Sequence, residues 1–339
     1  PNLRNLIRGS LLDGLRRSVV FDVRMARRTS ARVQQPAAEY RLATELVTGP
    51  RPHLFLRLWH LNPDRLLWSS TVALPRQPAD GSAMANLLAP AISAIGRVDG
   101  VVAAHEIRAV RAETPGNYQC LLLYHRYRRE RIAADRPAIE QCVERGLAAD
   151  PENAGLHAAA ANLALSQIAP HADALTGLLA TAQRHAQLAT SIDPLNAWAN
   201  AAQAHVAVLR NACQQAVNDA ARTFELDPFD PALLADAGLD MLSCSDGRAE
   251  TLIRRAITLD DGPEGRFYAP LVLVAVDRND QALARDALDR MMAPVIGRHP
   301  RFYLFSATGY AMVGDREKAK AAWAGLVATD PRIARNPDA

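Results

Sequence analysis

The feature that most limits what this chain can fold into is a spacing. Apolar runs end in Asp-Pro at Asp193-Pro194 and again at Asp227-Pro228, the two prolines 34 residues apart. Related endings stand at Asp150-Pro151 and Asp330-Pro331. Proline lacks the amide hydrogen that a helix interior needs, and it drives the residue before it out of the helical region. Each Asp-Pro therefore stops one helix at a fixed angle and lets another begin. A period of roughly 20–50 residues signals stacked supersecondary units rather than one irregular core.

A period of about 34 is that of the tetratricopeptide repeat, two antiparallel helices per unit. Paired helices approach closely only where small side chains face each other, and larger ones fill the gap to the next unit. The residues fit. Ala204 and Ala216 lie before Pro228, and Ala182, Ala186 and Ala189 before Pro194. In the last unit Tyr303, Ala307 and Tyr310 fall on the first helix, Gly314-Asp315 on the turn, and Ala319 and Trp323 on the second helix. The unit at 231–261 keeps Gly238, Ala249, Ile253 and Ala256 but ends in Asp260-Asp261, and 154–193 has a longer turn, "APHADALTG". The reading is six helical pairs, at 117–150, 154–193, 197–227, 231–260, 266–293 and 301–330, stacked into an all-α superhelix.

The first third follows another pattern. Residues 2–17 have helical spacing of Leu3, Leu6, Ile7, Leu11, Leu12 and Leu15. Strands are expected at 18–25, 39–48, 53–61 and 65–74, with a polar loop at 26–37. The last three alternate and are separated by Gly49–Pro52 and Asn62–Asp64, which implies an antiparallel meander. A helix at 82–110, bent or broken near Pro90 and Gly96, closes an α+β domain over residues 1–112. The linker "ETPGN" leads into a repeat domain at 117–331. Because Pro1 stands almost inside the first amphipathic pattern, the chain is expected to be part of a longer protein.

Chemistry is sparse. No Gly-rich phosphate loop, no serine–histidine–aspartate motif and no zinc spacing is present, so no catalytic residue, cofactor or metal ligand is assigned. Cys120, Cys142, Cys213 and Cys244 read as free buried thiols, with disulfides open to them in an oxidising compartment. His157, His185 and His205 read as satisfied residues on the repeat helices. The net charge of +3 is too close to neutral to argue for nucleic acid. Two basic clusters, eight arginines within residues 1–37 and "YHRYRRER" at 124–131, read as faces of amphipathic helices. A docking surface for another domain or an acidic membrane is the intermediate reading. No run of eighteen apolar residues marks a membrane span.

The stretch "LATELVTGPRPHLFLRLWHLNPDRLLWSSTVAL" at 42–74 has Leu67-Trp68 after its second turn. With the helix at 2–17 and "NYQCLLLYHRYRRE" at 117–130, it resembles bacterial signalling proteins with a TolB-like domain followed by tetratricopeptide repeats. In that family the region lies C-terminal to a winged-helix DNA-binding domain, as in CadC-type regulators, or to a class III nucleotide cyclase. The resemblance implies a non-enzymatic sensory or interaction module binding a protein, peptide or ligand. Nucleic acid would be reached only through an effector domain absent from this chain. It places the region in the bacterial cytoplasm or on the periplasmic side of the inner membrane. A free-standing repeat scaffold is the alternative. The repeat register makes Asn162, Asn200, Gln203 and Asp236 the expected partner-binding groove. A second copy of the chain, pairing along an edge of the meander, is a further candidate partner.

Overall fold

The computed structural model describes residues 3–24, 38–75, 80–109, 115–130, 132–166, 175–260, 267–291 and 300–329. They fall into two compact units, Pro1–His105 and Glu106–Ala339. In the first unit α1 (Leu3–Leu15) turns Ile7, Leu11 and Leu15 inward, one helical turn apart. It lies against α2 (Gly81–Gly96) so closely that a methyl group on Gly14 would meet Ile92 at 2.6 Å. Asp80 caps α2, its carboxylate accepting from the Ala83 amide at 2.8 Å. The helix passes through Pro90 and ends at Gly96. It resumes as α3 (Val101–Ala109) after a tight turn in which a Cβ on Gly100 would sit 2.7 Å from the Ala94 carbonyl. Of the two places where a bend or break is expected, the helix is interrupted after Gly96 and continuous through Pro90.

The sheet is an antiparallel meander of β1 (Tyr40–Val47), β2 (His53–Leu61) and β3 (Asp64–Ala73) in sequence order. Leu54, Leu56 and Leu58 of β2 are buried on one face, and the alternate residues Phe55, Arg57 and Trp59 are half-buried on the other. A bulge separates the register of Leu58 from that of Trp59 against β3. The expected strand at 18–25 does not form over its described residues, 18–24. Ser18 instead donates to the Gly96 carbonyl at 2.6 Å, its oxygen accepts from the Val20 amide at 3.1 Å, and Val20 is buried. The apolar run there covers the end of a helix. Met25 and the loop at 26–37 lie outside the described residues.

Among the described residues the second unit is a stack of six helical hairpins. They are α4 (Asn117–Glu130) with α5 (Arg136–Ala149), α6 (Ala154–Leu165) with α7 (Leu175–Ile192), and α8 (Ala197–Leu209) with α9 (Cys213–Leu226). Next come α10 (Pro231–Ser243) with α11 (Ala249–Leu259), α12 (Tyr268–Asp277) with α13 (Gln281–Arg290), and α14 (Pro300–Met312) with α15 (Arg316–Thr329). The small residues occupy the helix contacts: Ala182, Ala186, Ala189, Ala204, Ala216 and Ala220 are fully buried, and a Cβ on Gly238 would meet Ile253 at 2.7 Å.

Two sets of turn residues set the repeat. The residue three after the helix-ending Asp caps the next helix: Asn153 accepts from the Leu156 amide, Asn196 from Ala199, and Asp230 from Ala232 and Leu233. Inside the hairpins the chain turns on a left-handed residue at Asn211, Ser245, Asn279 and Gly314, spaced 34, 34 and 35 apart. Each is followed by an amide that bonds back across the helix end, Ala212 to Ala207, Asp246 to Met241, Asp280 to Ala275 and Asp315 to Tyr310. The unit at 231–260, which lacks the Asp-Pro ending, therefore shares this turn geometry with its neighbours. Asp330-Pro331 and most of "APHADALTG" lie outside the described residues.

The cysteines correct the free-thiol expectation. Cys120 in α4 is bonded to Cys142 in α5, and Cys213 at the start of α9 to Cys244 at the end of α10, with Cα separations of 5.6 and 5.3 Å. The first pair is buried in the core of the opening hairpin, among Tyr124, Tyr127, Ile139 and Leu156. The second is at the surface and staples two successive hairpins.

Candidate functional site

The first helices of the hairpins touch in succession, α4 to α6, α6 to α8, α8 to α10, α10 to α12 and α12 to α14. They form one continuous wall, the inner face expected of a repeat stack. Contacts also jump along it. The guanidinium of Arg128 in α4 donates to the Asp236 carboxylate in α10, although the two lie 108 residues apart. It sits 4.6 Å from the centroid of the Trp198 ring in α8. His125, one turn back on α4, packs in a tilted arrangement against the same indole, its ring centroid 4.6 Å from that of Trp198 and 5.0 Å from that of Tyr124. A third bridge joins His205 in α8 to the buried Asp240 in α10, Nδ1 to Oδ1 at 3.3 Å. Side chains from the first, third and fourth hairpins thus close on one another across the wall.

The electrostatics of this clasp are those of a partly dry ion pair. The side chains of Arg128 and Asp236 are 17% and 26% exposed. Burial works against the Arg128 charge, but the adjoining Asp236 carboxylate, with smaller contributions from Tyr124 and Asp230, overrides it and lifts the guanidinium above its ordinary range. The charge is fixed at any accessible pH. The aromatic face adds a cation–π contact, which strengthens as water is excluded.

A second polar pair couples α6 and α7. His157 Nε2 lies 2.9 Å from the Pro151 carbonyl, and its Nδ1 lies 2.9 Å from Nδ1 of His185. A carbonyl only accepts, so neutral His157 carries its proton on Nε2, and His185 donates from Nδ1. Burial, then the neighbouring His157 and Arg184, hold His185 below its ordinary pKa.

The four groove residues take up distinct places. Asn162 donates to the Ala158 carbonyl of its own helix at 3.0 Å. Asn200 is buried and donates to the Pro194 and Asn196 carbonyls at 3.2 and 2.9 Å, tying α8 to the preceding turn. Gln203 lies one turn further along α8, half-buried, and its Oε1 is buried with no hydrogen-bond partner among the described residues. Asp236 is held in the clasp. The clasp joins α8 and α10, so Asn200, Gln203 and Asp236 share one part of the wall, whereas among the described residues no hydrogen bond links Asn162 to them. Sequence reasoning missed Arg128, His125 and Trp198. "YHRYRRER" was read as a surface face, but its Tyr124, His125 and Tyr127 are buried and Arg128 points into the wall. Their alternation with the half-buried Arg126 and Arg129 on α4 was the available signal.

Among the described residues no group of three or more His, Cys, Asp or Glu side chains is placed to hold a metal ion. The stretch 81–109 is apolar enough by composition to cross a membrane. It is, however, divided into α2 and α3, each shorter than the about 20 residues a span needs, and α2 buries Met84, Leu88 and Ile92 within the unit.

The structure therefore defines a class: a small antiparallel sheet with helices, followed by tandem helix pairs of tetratricopeptide type. No family model matches the chain, and no curated protein matches it. Among solved structures it is similar to PilF of Pseudomonas aeruginosa, with 17% identity and a TM-score of 0.41 over 62% of this chain and 90% of that one. It is also similar to PilW, a type IV pilus biogenesis factor, with 16% identity and a TM-score of 0.44 over 62% of this chain and 92% of that one. A third is YrrB, a protein of the same repeat with an unusual peptide-binding site, with 15% identity and a TM-score of 0.33 over 56% and 92%.

Proposed function

We propose that the chain is the non-enzymatic interaction or sensory region of a bacterial signalling protein, a TolB-like domain over residues 1–112 followed by a repeat domain over 117–331. The order of helix, antiparallel meander and helix ahead of the repeats supports this reading. The observation that carries the interaction role is the continuous wall of first helices, on which the half-buried Gln203 lies. The partner is a protein or peptide lying along α6, α8 and α10. It lies over the part of the wall that holds Asn162, Asn200, Gln203 and Asp236.

The two disulfides favour an oxidising compartment, and so the periplasmic side of the inner membrane over the cytoplasm. The test is site-specific photo-crosslinking in the native host from position 203 on the wall and from position 225 on the exposed side of α9. Adducts from 203 that are absent from 225 are expected. Adducts from 225 alone would place the partner on the opposite side and end the groove reading.

A further inference from the structure

The first unit carries a self-complementary strand edge, independent of the groove. β1 pairs with β2 in the register Tyr40 to His60 through Val47 to His53. Leu61 N donates to Glu39 O at 2.8 Å, so odd-numbered residues of this strand exchange bonds with β2. Leu42, Thr44 and Leu46 therefore turn their amides and carbonyls the other way. Among the described residues β2 is the only strand beside β1. The side chains along it are open: Arg41 and Glu45 are 58% and 59% exposed, and Thr44 and Val47 are exposed as well. Such edges are commonly blunted by proline, lysine or a bulge. β1 has none of these between Tyr40 and Val47, whereas the β3 side of the sheet carries the bulge.

We propose that β1 pairs antiparallel with β1 of a second copy, about a two-fold axis through Ala43, to make a continuous six-stranded sheet. In that register Leu42 faces Thr44 of the second copy, and both are residues whose backbone groups point outward. Arg41 faces Glu45 of the second copy, and Glu45 faces its Arg41, in the narrow pairs where side chains lie closest. Within one copy Arg41 already lies 4.0 Å from Asp64, and Arg57 bonds Glu45 at 2.9 Å. Pairing therefore extends an alternating ladder across the sheet: Asp64, Arg41, then Glu45 and Arg57 of the second copy.

The neighbouring registers are unfavourable. Centring on Leu42 opposes Glu45 with Glu39. Centring on Arg41 or on Glu45 sets each against itself. Centring on Thr44 matches no charges, and shifts by a single residue set outward backbone groups against inward ones. At the β3 edge the charges are the adjacent Asp64 and Arg65, which no in-phase self-pairing can oppose. The edge of β1 thus specifies both its partner and its alignment.

The experiment uses the full chain. Sedimentation velocity shows a concentration-dependent dimer. Arg41→Glu and Glu45→Arg each weaken it, because each sets two like-charge pairs face to face. Mixing the two variants restores association, since every cross-strand pair is then opposite in charge. Thr44→Pro removes an outward amide without touching the β2 ladder, so the fold measured by circular dichroism is kept while dimerisation weakens roughly tenfold or more. Ala43→Cys supplies one new thiol at the axis and gives a disulfide-linked dimer faster than Thr44→Cys. A chain that is monomeric at every concentration overturns the proposal. So does a mixture of charge variants no tighter than either alone, or equal cross-linking at 43 and 44.

Discussion

The Asp236 carboxylate does two jobs, holding a buried guanidinium charged and joining α4 to α10. Replacing it by asparagine leaves Arg128 against Trp198 with its charge uncompensated. Because the pair keeps some exposure, Asp236→Asn is expected to cost about 2 kcal/mol in urea unfolding, below the range for a fully buried pair. Trp198→Ala removes the platform under Arg128 and His125, and its expected cost is larger, about 3 kcal/mol or more. His185 sets a pH dependence. Its folded pKa is depressed, so the unfolded chain takes up the proton first. Stability is full above about pH 6.5, the ordinary histidine value, and falls as pH drops below it. Melting temperature recorded from pH 7.5 to 5.5 shows this drop, and His185→Gln flattens it. None of these partnerships was legible in the sequence, because the clasp joins residues 108 apart and no local spacing encodes such a contact. The bland reading of His157 and His185 as satisfied residues does agree with their bonds to Pro151 and to each other.

Helices and turns were legible wherever their signal is local. The Asp-Pro endings, the small residues and the six hairpin positions all follow from constraints within one or two turns of chain. The meander was legible because alternation and turn chemistry are also local. The strand expected at 18–25 failed because an apolar run reports burial and not the partner that covers it; here Ser18 anchors the run to the end of α2. The pattern of 34 residues in the left-handed turn positions is not legible in the sequence, because Asn211, Ser245, Asn279 and Gly314 share a conformation and no single residue type. At the hairpin contacts Gly238→Leu forces Ile253 and the Ala249 carbonyl aside, with an expected loss of about 2 kcal/mol or more in thermal or urea unfolding. The two disulfides span 22 and 31 residues and each contributes roughly 3 kcal/mol by restricting the unfolded chain. Native protein is expected to show no free thiol. Mild reductant opens the surface Cys213–Cys244 pair before the buried Cys120–Cys142 pair, readable by differential alkylation and mass spectrometry.

At the scale of the molecule, a repeat stack is held mainly by contacts between neighbours, so its parts unfold semi-independently. This chain departs from that rule in its first four hairpins. Arg128, His125 and Trp198 link the first to the third and the fourth, whereas α12 to α15 have contacts of the ordinary neighbouring kind. The inner wall is therefore a cooperative block carrying the candidate partner surface, followed by two hairpins outside the clasp. Hydrogen exchange by mass spectrometry, comparing the native chain with Asp236→Asn, tests this most directly. Faster exchange is expected in α4, α8 and α10 together, with α12 to α15 unchanged. A change confined to α10 and its immediate neighbours would contradict it.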